Sequence, residues 1–236
     1  GSIISPSSVN GVVGLRPTYG RVSRHGAMAL SNTMDKAGPM CRHVEDCVLV
    51  LNAIYGPDKH DGTVADAAFK WNPDLPLAGI RIAYARAGFD PAAAGRAGGG
   101  GAPGGGGAGR GAGRGGLTPE QQAAQAEERR KMYQDVLDTY RKLGAKLEAI
   151  DLPDLPLANQ IGFILEVESA ASFDELTRSG DVDLLRTGPS ASTWPNTFKT
   201  ARFVPAVEYL RAQRGRTILM RQMAEFMSKF DVLLSA

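Results

Sequence analysis

A serine hydroxyl lies at the second position of the chain, preceded by glycine and followed by apolar residues. Such a hydroxyl attacks a carbonyl carbon only when a base takes its proton and backbone N–H groups stabilise the oxyanion that forms. Gly1 and Ser2 are small enough to let a substrate approach such groups. We expect Ser2 to lie in a turn that Pro6 stiffens, directly before an apolar strand. Gly-Ser pairs also occur in ordinary turns and expression-tag remnants, so these residues alone leave the role of Ser2 open.

Further segments of distinctive sequence follow Ser2. Residues 1–26 include the turn Arg-Pro-Thr-Tyr-Gly, and residues 31–46 include Ser-Asn-Thr-Met-Asp-Lys-Ala-Gly-Pro. A helical pattern then ends at Gly56, and residues 202–214 include Arg-Phe-Val-Pro-Ala-Val-Glu-Tyr. In these segments the chain closely resembles the amidase signature family, and the resemblance is weaker in the middle of the chain.

The resemblance implies roles for the first residues of the chain. Ser2 matches the acyl-accepting serine of the family's Gly-Gly-Ser motif, and the backbone N–H at Gly1 is expected to contribute to the oxyanion hole. The family's base system is a second serine in a cis peptide and a lysine, both expected upstream of Gly1, so we expect this chain alone to be nearly inert. Ile4 stands where the family usually has arginine, which removes a structural ion pair and leaves the subfamily open.

Three functions are compatible with the resemblance. The first is an amidohydrolase that converts a small carboxamide into a carboxylate and ammonia through a Ser2 acyl-enzyme. The second is the glutaminase subunit of a tRNA-dependent amidotransferase, which would require partner subunits and tRNA. The third is a catalytically inert fragment or pseudoenzyme, because the lysine and the bridging serine are not located in this chain. We expect neither a cofactor nor a metal ion.

The composition argues against several other classes of protein. Of the 236 residues, 43% are hydrophobic and 22% are charged, and the formal net charge is +2. This balance lacks the basic footprint of a nucleic-acid-binding domain, so no direct nucleic-acid site is expected. No apolar run reaches the roughly 18 residues that indicate a membrane span. The spacing of Cys41 and Cys47 fits neither a metal motif nor a CxxC redox pair, so we interpret both as packing residues. Unpaired cysteines of this kind indicate a reducing compartment, and we expect a cytoplasmic protein.

Hydrophobic periodicity predicts alternating strands and helices. Thr118 to Gln121 has the capping-box pattern that begins a helix, and Gly56 with Pro57 ends an earlier one. The predicted strands are Gly11–Leu15, Arg21–Ser23, Ile80–Tyr84, Lys146–Ile150 and Asp231–Ser235, and the predicted helices are 44–55, 118–143 and 205–229. This order predicts an α/β fold in which a crossover helix joins two strands. The resemblance implies a mixed β-sheet core flanked by helices, within one partial amidase signature domain over residues 1–236.

Residues 91–117 form a low-complexity insert of glycine, alanine and arginine. Fourteen of the 29 glycines lie between Gly95 and Gly116. Such a segment cannot bury enough apolar surface to offset its ordering entropy, so we expect a disordered loop. Its Arg-Gly pairs also resemble RNA-binding repeats, but it has no aromatic side chain on which a base can stack, and three arginines release few counterions.

Several other residues have side chains that could carry chemistry. His25, His43 and His60 lie in different segments, and although His43 and Cys47 share a predicted helix face, a third metal ligand is not apparent. Asp35 lies in a segment that the resemblance places near the active site, and we expect its role to be structural. Three further carboxylates could face a substrate and do acid–base work, but we expect them on a solvated face, namely Glu166, Glu168 and Asp174.

Overall fold

A computed structural model describes residues 2–90, 118–185 and 193–236. Gly1 and the predicted disordered insert at 91–117 therefore lie outside the described residues. The helices are α1 Ile4–Asn10, α2 Val44–Ile54, α3 Arg86–Phe89, α4 Pro119–Lys142, α5 Pro156–Gln160, α6 Phe163–Ser172, α7 Asp174–Ser179, α8 Trp194–Thr200 and α9 Ala206–Met227. The strands are β1 Val13–Gly14, β2 Met40–Cys41, β3 Ile82–Ala85, β4 Leu147–Ile150 and β5 Val232–Leu234. None of the described helices combines the length and the apolarity needed to cross a bilayer.

The predicted α/β class is confirmed, and the most strongly patterned elements lie where the sequence places them. The start of α4 is a capping box, in which Thr118 Oγ1 accepts from Gln121 N at 3.3 Å and Gln121 Oε1 accepts from Thr118 N at 3.0 Å. These bonds satisfy two backbone donors that a helix start otherwise leaves unpaired.

Two expectations near the start of the chain are wrong. Ser2 does not directly precede a strand, because α1 lies between it and β1. Pro6 belongs to the first turn of α1, where its missing N–H is tolerated, and Gly11 ends this helix with φ at +64°. The expected strand Arg21–Ser23 is reduced to isolated bridges from Val22 to the chain at residues 55 and 56.

The chain divides into two compact units, and the first comprises the described parts of Gly1–Pro73 and Gly162–Tyr209. In it β1 and β2 pair antiparallel, with Val13 opposite Cys41. The buried apolar residues of this unit are Val22, Cys47, Val48, Leu51, Ile164, Ala170, Val182, Phe198 and Ala201. Most of them come from α2, α6 and α8, so two stretches of chain far apart in sequence contribute buried residues to one compact unit.

The second unit comprises the described parts of residues 74–161 and 210–236. Its sheet has the order β4-β3-β5, with β3 parallel to both neighbours. The predicted crossover helix is confirmed, since α4 connects β3 to its parallel partner β4. Leu137 of α4 is 1% exposed, and the ring of Phe89 lies against Tyr84 and Tyr133.

Candidate functional site

Ser2 lies in an exposed turn immediately before α1. Within the part of the chain that the structure describes, no residue hydrogen-bonds its hydroxyl. Ser2 is therefore exposed to solvent, and no described base forms a hydrogen bond with its hydroxyl. The backbone of Gly1, which the sequence predicts as an oxyanion donor, lies outside the described residues.

Ile3 anchors the turn that carries Ser2. Its carbonyl accepts hydrogen bonds from Ser7 N at 3.1 Å and from Ser7 Oγ at 2.8 Å. A Cβ added to Gly14 would lie 3.2 Å from Ile3 Cγ2, and one added to Gly38 would lie 3.0 Å from Ile3 Cδ1. Because these glycines have no side chain, the side chain of Ile3 packs directly against their backbone. The neighbour of Ser2 is thus fixed on both its backbone and its side-chain sides.

The segment Leu30–Gly38 folds around the carboxylate of Asp35. Asp35 Oδ2 accepts from Leu30 N at 2.7 Å and from Ser31 N at 2.8 Å, and Asp35 N donates to Ser31 O at 3.1 Å. A short carboxylate that bonds the backbone a few residues away is typical of turns. This geometry supports the structural role expected of Asp35.

Glu168 is buried, and the expectation that it lies on a solvated face is wrong. Only 5% of Glu168 is exposed. Its Oε1 accepts from Thr33 Oγ1 at 2.7 Å and from the hydroxyl of Tyr209 at 2.9 Å. Its Oε2 accepts from Thr33 N at 3.1 Å and also from the hydroxyl of Ser31. One carboxylate of α6 therefore bonds to the segment Leu30–Gly38 and to α9.

These hydrogen bonds decide the charge of Glu168. Burial raises the pKa of Glu168, but the hydrogen bonds from Ser31, Thr33 and Tyr209 outweigh it and hold the pKa below its ordinary value. Glu168 is therefore ionised at neutral pH. The helical spacing carries a signal for this burial, because Ile164 lies four residues earlier on the same face and is 2% exposed. The other two carboxylates differ: Glu166 is exposed, and Asp174 pairs with Arg178 and Arg202.

The structure brings His25 and His60 together, although they lie far apart in sequence. The rings of His25 and His60 stack with centroids 4.6 Å apart, and both residues are exposed. His60 N donates to Asp58 Oδ1, and a hydrogen bond from Ser23 chiefly lowers the pKa of Asp58 to about 2. His43 instead begins α2 as its N-cap. Among the described residues, no cluster of three or more potential ligands is arranged to hold a metal ion.

The two cysteines occupy the contact between α2 and the β1–β2 pair. The thiol of Cys47 is completely buried and lies 3.6 Å from Val13 O. Cys41 is half-buried directly across from Val13, and both cysteines are free thiols. Burial and the neighbouring Cys47 raise the pKa of Cys41. The buried thiol of Cys47 confirms its predicted packing role.

Comparisons with known proteins find a matching family at the start of the chain and similar sequences over its whole length. The sequence profile of the amidase family matches residues 1–94. The chain is 32% identical over 271 residues to a glutamyl-tRNA(Gln) amidotransferase subunit of Burkholderia thailandensis, covering 99% of this chain and 47% of that protein. It is 28% identical over 260 residues to the subunit of the same name in Roseiflexus sp. strain RS-1, covering 99% of this chain and 46% of that protein. These matches support the resemblance of the chain to the amidase signature family.

A solved structure shows that the fold of this chain is shared. The crystal structure of a glutamyl-tRNA(Gln) amidotransferase subunit from Thermotoga maritima superposes with a TM-score of 0.61 at 21% identity. The match covers 99% of this chain and 44% of that one. The chain thus spans about half the length of the relatives that it matches. Ser2, Asp35 and both glycines that contact Ile3 lie within the residues of the family match, and Glu168 lies beyond them.

Proposed function

We propose that this chain carries the acyl-accepting serine of an amidohydrolase and that this serine is Ser2. One observation carries the proposal, namely that the family match includes Ser2 and that its exposed hydroxyl lies on a turn anchored through Ile3. A nucleophile must be both accessible and held in position, because misorientation by a fraction of an ångström slows attack. The described part of the Ser2 turn meets both requirements.

In the proposed reaction, the Ser2 oxygen bonds to the carbonyl carbon of a carboxamide while its proton passes to a base. Collapse of the tetrahedral intermediate breaks the C–N bond, and the nitrogen leaves as ammonia with the transferred proton. Water then hydrolyses the acyl ester, releasing a carboxylate and restoring the Ser2 hydroxyl. The N–H of Gly1 is proposed to stabilise the oxyanion. The family resemblance implies that a lysine and a bridging serine are the base, and no residue of this sequence is assigned either role.

A second candidate function is that of the glutaminase subunit in a tRNA-dependent amidotransferase. The observation that favours it is that the Burkholderia and Roseiflexus relatives are both named as amidotransferase subunits. In this case the same Ser2 chemistry would take its ammonia from glutamine, in the presence of partner subunits and tRNA. The two functions therefore differ in substrate and partners and share one nucleophile.

The test is ammonia release by the protein expressed from its complete natural gene. Simple amides and glutamine are supplied separately, each with and without tRNA and partner subunits. Release from simple amides alone supports a free amidase, and release from glutamine only with partners supports the amidotransferase function. No release under any condition would favour the inert protein instead.

The nucleophile is tested by a matched pair of serine variants. Ser2→Ala should lower kcat by about 10³-fold or more, because the acyl-enzyme cannot form. Ser8→Ala removes an exposed hydroxyl six residues later in α1 and should leave kcat within about twofold of the wild type. Unchanged ammonia release by Ser2→Ala would overturn the assignment of Ser2.

A further inference from the structure

We propose that Glu168 is a positioning residue for the Ser2 turn. Its carboxylate fixes the segment Leu30–Gly38, and Ile3, the neighbour of Ser2, packs against the far end of that segment. The inference rests on the proposed function of Ser2. It assigns to a buried carboxylate far away in sequence a part in orienting the nucleophile.

The first step is the attachment of the segment to α6. Glu168 accepts hydrogen bonds from the backbone and the hydroxyl of Thr33 and from the hydroxyl of Ser31, which is itself completely buried. One turn further along α6, Ser172 Oγ donates to Leu30 O at 3.3 Å. The helix therefore holds the segment at Leu30, Ser31 and Thr33, and the bonds to Glu168 involve an ionised group. Hydrogen bonds to a charged group are stronger than neutral ones, so Glu168 dominates this attachment.

The second step is the rigidity of the segment between Ser31 and Gly38. Asp35 bonds the backbone of Leu30 and Ser31, as described above, and the ammonium of Lys36 donates to Met34 O at 2.9 Å. A turn closed by its own side chains moves as one body. A displacement at Thr33 is therefore passed on toward Gly38.

The third step is the close approach at Gly38. A Cβ at Gly38 would lie 2.3 Å from Leu15 O and 3.0 Å from Ile3 Cδ1. The backbone of Gly38 is consequently the surface on which the side chain of Ile3 rests. Packed contacts of this kind transmit small shifts, because protein interiors have little free volume. Moving the segment removes the support of Ile3 and lets the Ser2 turn reorient.

Glu168→Gln is the informative variant because it preserves shape and removes charge. The glutamine oxygen can accept from Thr33 N, and its NH₂ can donate to the hydroxyls of Thr33 and Tyr209, which rotate to accept. The variant is therefore expected to fold, with weaker bonds to the segment. Glu166→Gln, an exposed neighbour on the same helix, is the matched control. Ser31→Ala is a second variant, which removes one of the bonds from the segment side.

The experiment combines hydrogen exchange with steady-state kinetics on the complete protein. Glu168→Gln should accelerate backbone exchange about tenfold in residues 30–39 and also in residues 2–15, while strands β3 to β5 exchange as in the wild type. It should lower kcat for ammonia release about tenfold and leave KM within about twofold, since orientation and not binding is affected. Ser31→Ala should change hydrogen exchange and kcat in the same direction but by smaller factors, and Glu166→Gln should match the wild type.

The outcomes separate this inference from the proposed function. Faster exchange in residues 30–39 with unchanged exchange in residues 2–15 and unchanged kcat would overturn it, since Glu168 would then only stabilise its own surroundings. No change in either segment would also overturn it. If residues 2–15 respond and even the wild type releases no ammonia, the link from Glu168 to the Ser2 turn stands and the proposed amidase function fails.

Discussion

Gly38→Ala tests whether the packing beneath Ile3 is as tight as the structure indicates. The added methyl carbon would lie 2.3 Å from Leu15 O and 2.6 Å from Pro17 Cδ, where ordinary contact begins at 3.4 Å. The backbone carbonyl of Leu15 must therefore move by about 1 Å, and overpacking of this kind raises the free energy of the folded state by about 1–3 kcal/mol. The adjacent bond from Leu15 N to Pro39 O, 3.0 Å long, adds about 1 kcal/mol if it is strained or lost.

Part of this destabilisation is offset in the unfolded chain. Alanine restricts the unfolded backbone more than glycine does, and this stabilises the folded state by about 0.4–1 kcal/mol relative to the unfolded chain. The net loss for Gly38→Ala is therefore about 1–3 kcal/mol. At about 2–4 °C per kcal/mol for a chain of this size, the midpoint of thermal unfolding should fall by about 2–12 °C. Because Ile3 is displaced as well, ammonia release should decrease together with stability.

The assay is thermal unfolding followed by circular dichroism, with Gly62→Ala as the matched control. Gly62 has no heavy atom within 4 Å of an added Cβ and does not have a positive φ. Its substitution should be neutral or stabilising by up to about 1 kcal/mol. If Gly38→Ala unfolds within about 1 °C of the wild type, the close approach at Gly38 is not a feature of the folded protein, and Gly38 does not support the Ser2 turn.

Three further predictions concern other parts of the chain. Leu137→Ala in α4 should lower the free energy of unfolding by about 2–5 kcal/mol in urea titrations, because it empties a fully buried site, whereas Val136→Ala, at 40% exposure, should lose clearly less. Thr118→Ala should lose about 1 kcal/mol in the same titration through its missing cap, and an unchanged midpoint would contradict the capping box. A hydrogen bond from Ser23 lowers the pKa of Asp58 to about 2, so Asp58→Asn should be less stable than the wild type at pH 6. The difference should shrink as the pH falls from about 4 through 2, and a difference that is undiminished at pH 2 would contradict this.

The elements that the sequence predicts well are those with local signals. The helix α4 has a capping box at Thr118 and a 24-residue span, and its neighbours β3 and β4 begin within two residues of their predicted positions. Caps and periodic apolar faces act within a few residues of one another, so they can be recognised without knowledge of the fold. The parallel pairing of β3 with β4 then follows from the helix between them.

The features that the sequence does not reveal depend on distant partners. The helix α1 consists of Ile-Ser-Pro-Ser-Ser-Val-Asn, whose serines and asparagine favour caps and turns, and its buried residue Ser7 packs against Gly14. Glu168 is stabilised as a buried anion by donors that lie 41 to 137 residues away. Neither partner set has a local signature, and a glutamate without a visible partner is expected to be solvated.

The strand order β4-β3-β5 has a consequence for the synthesis of the chain. β3 is the middle strand and pairs with β5, which comes much later in the chain. The ion pair next to this pairing joins Arg81 to Asp231, 150 positions later. At a translation rate of about 5–20 residues per second, the ribosome needs roughly 7–30 s to reach β5 after it has made β3. During that interval one edge of Ile82–Ala85 has no partner from its own chain. Nascent chains on neighbouring ribosomes can pair with it, so this strand is where co-translational aggregation should begin.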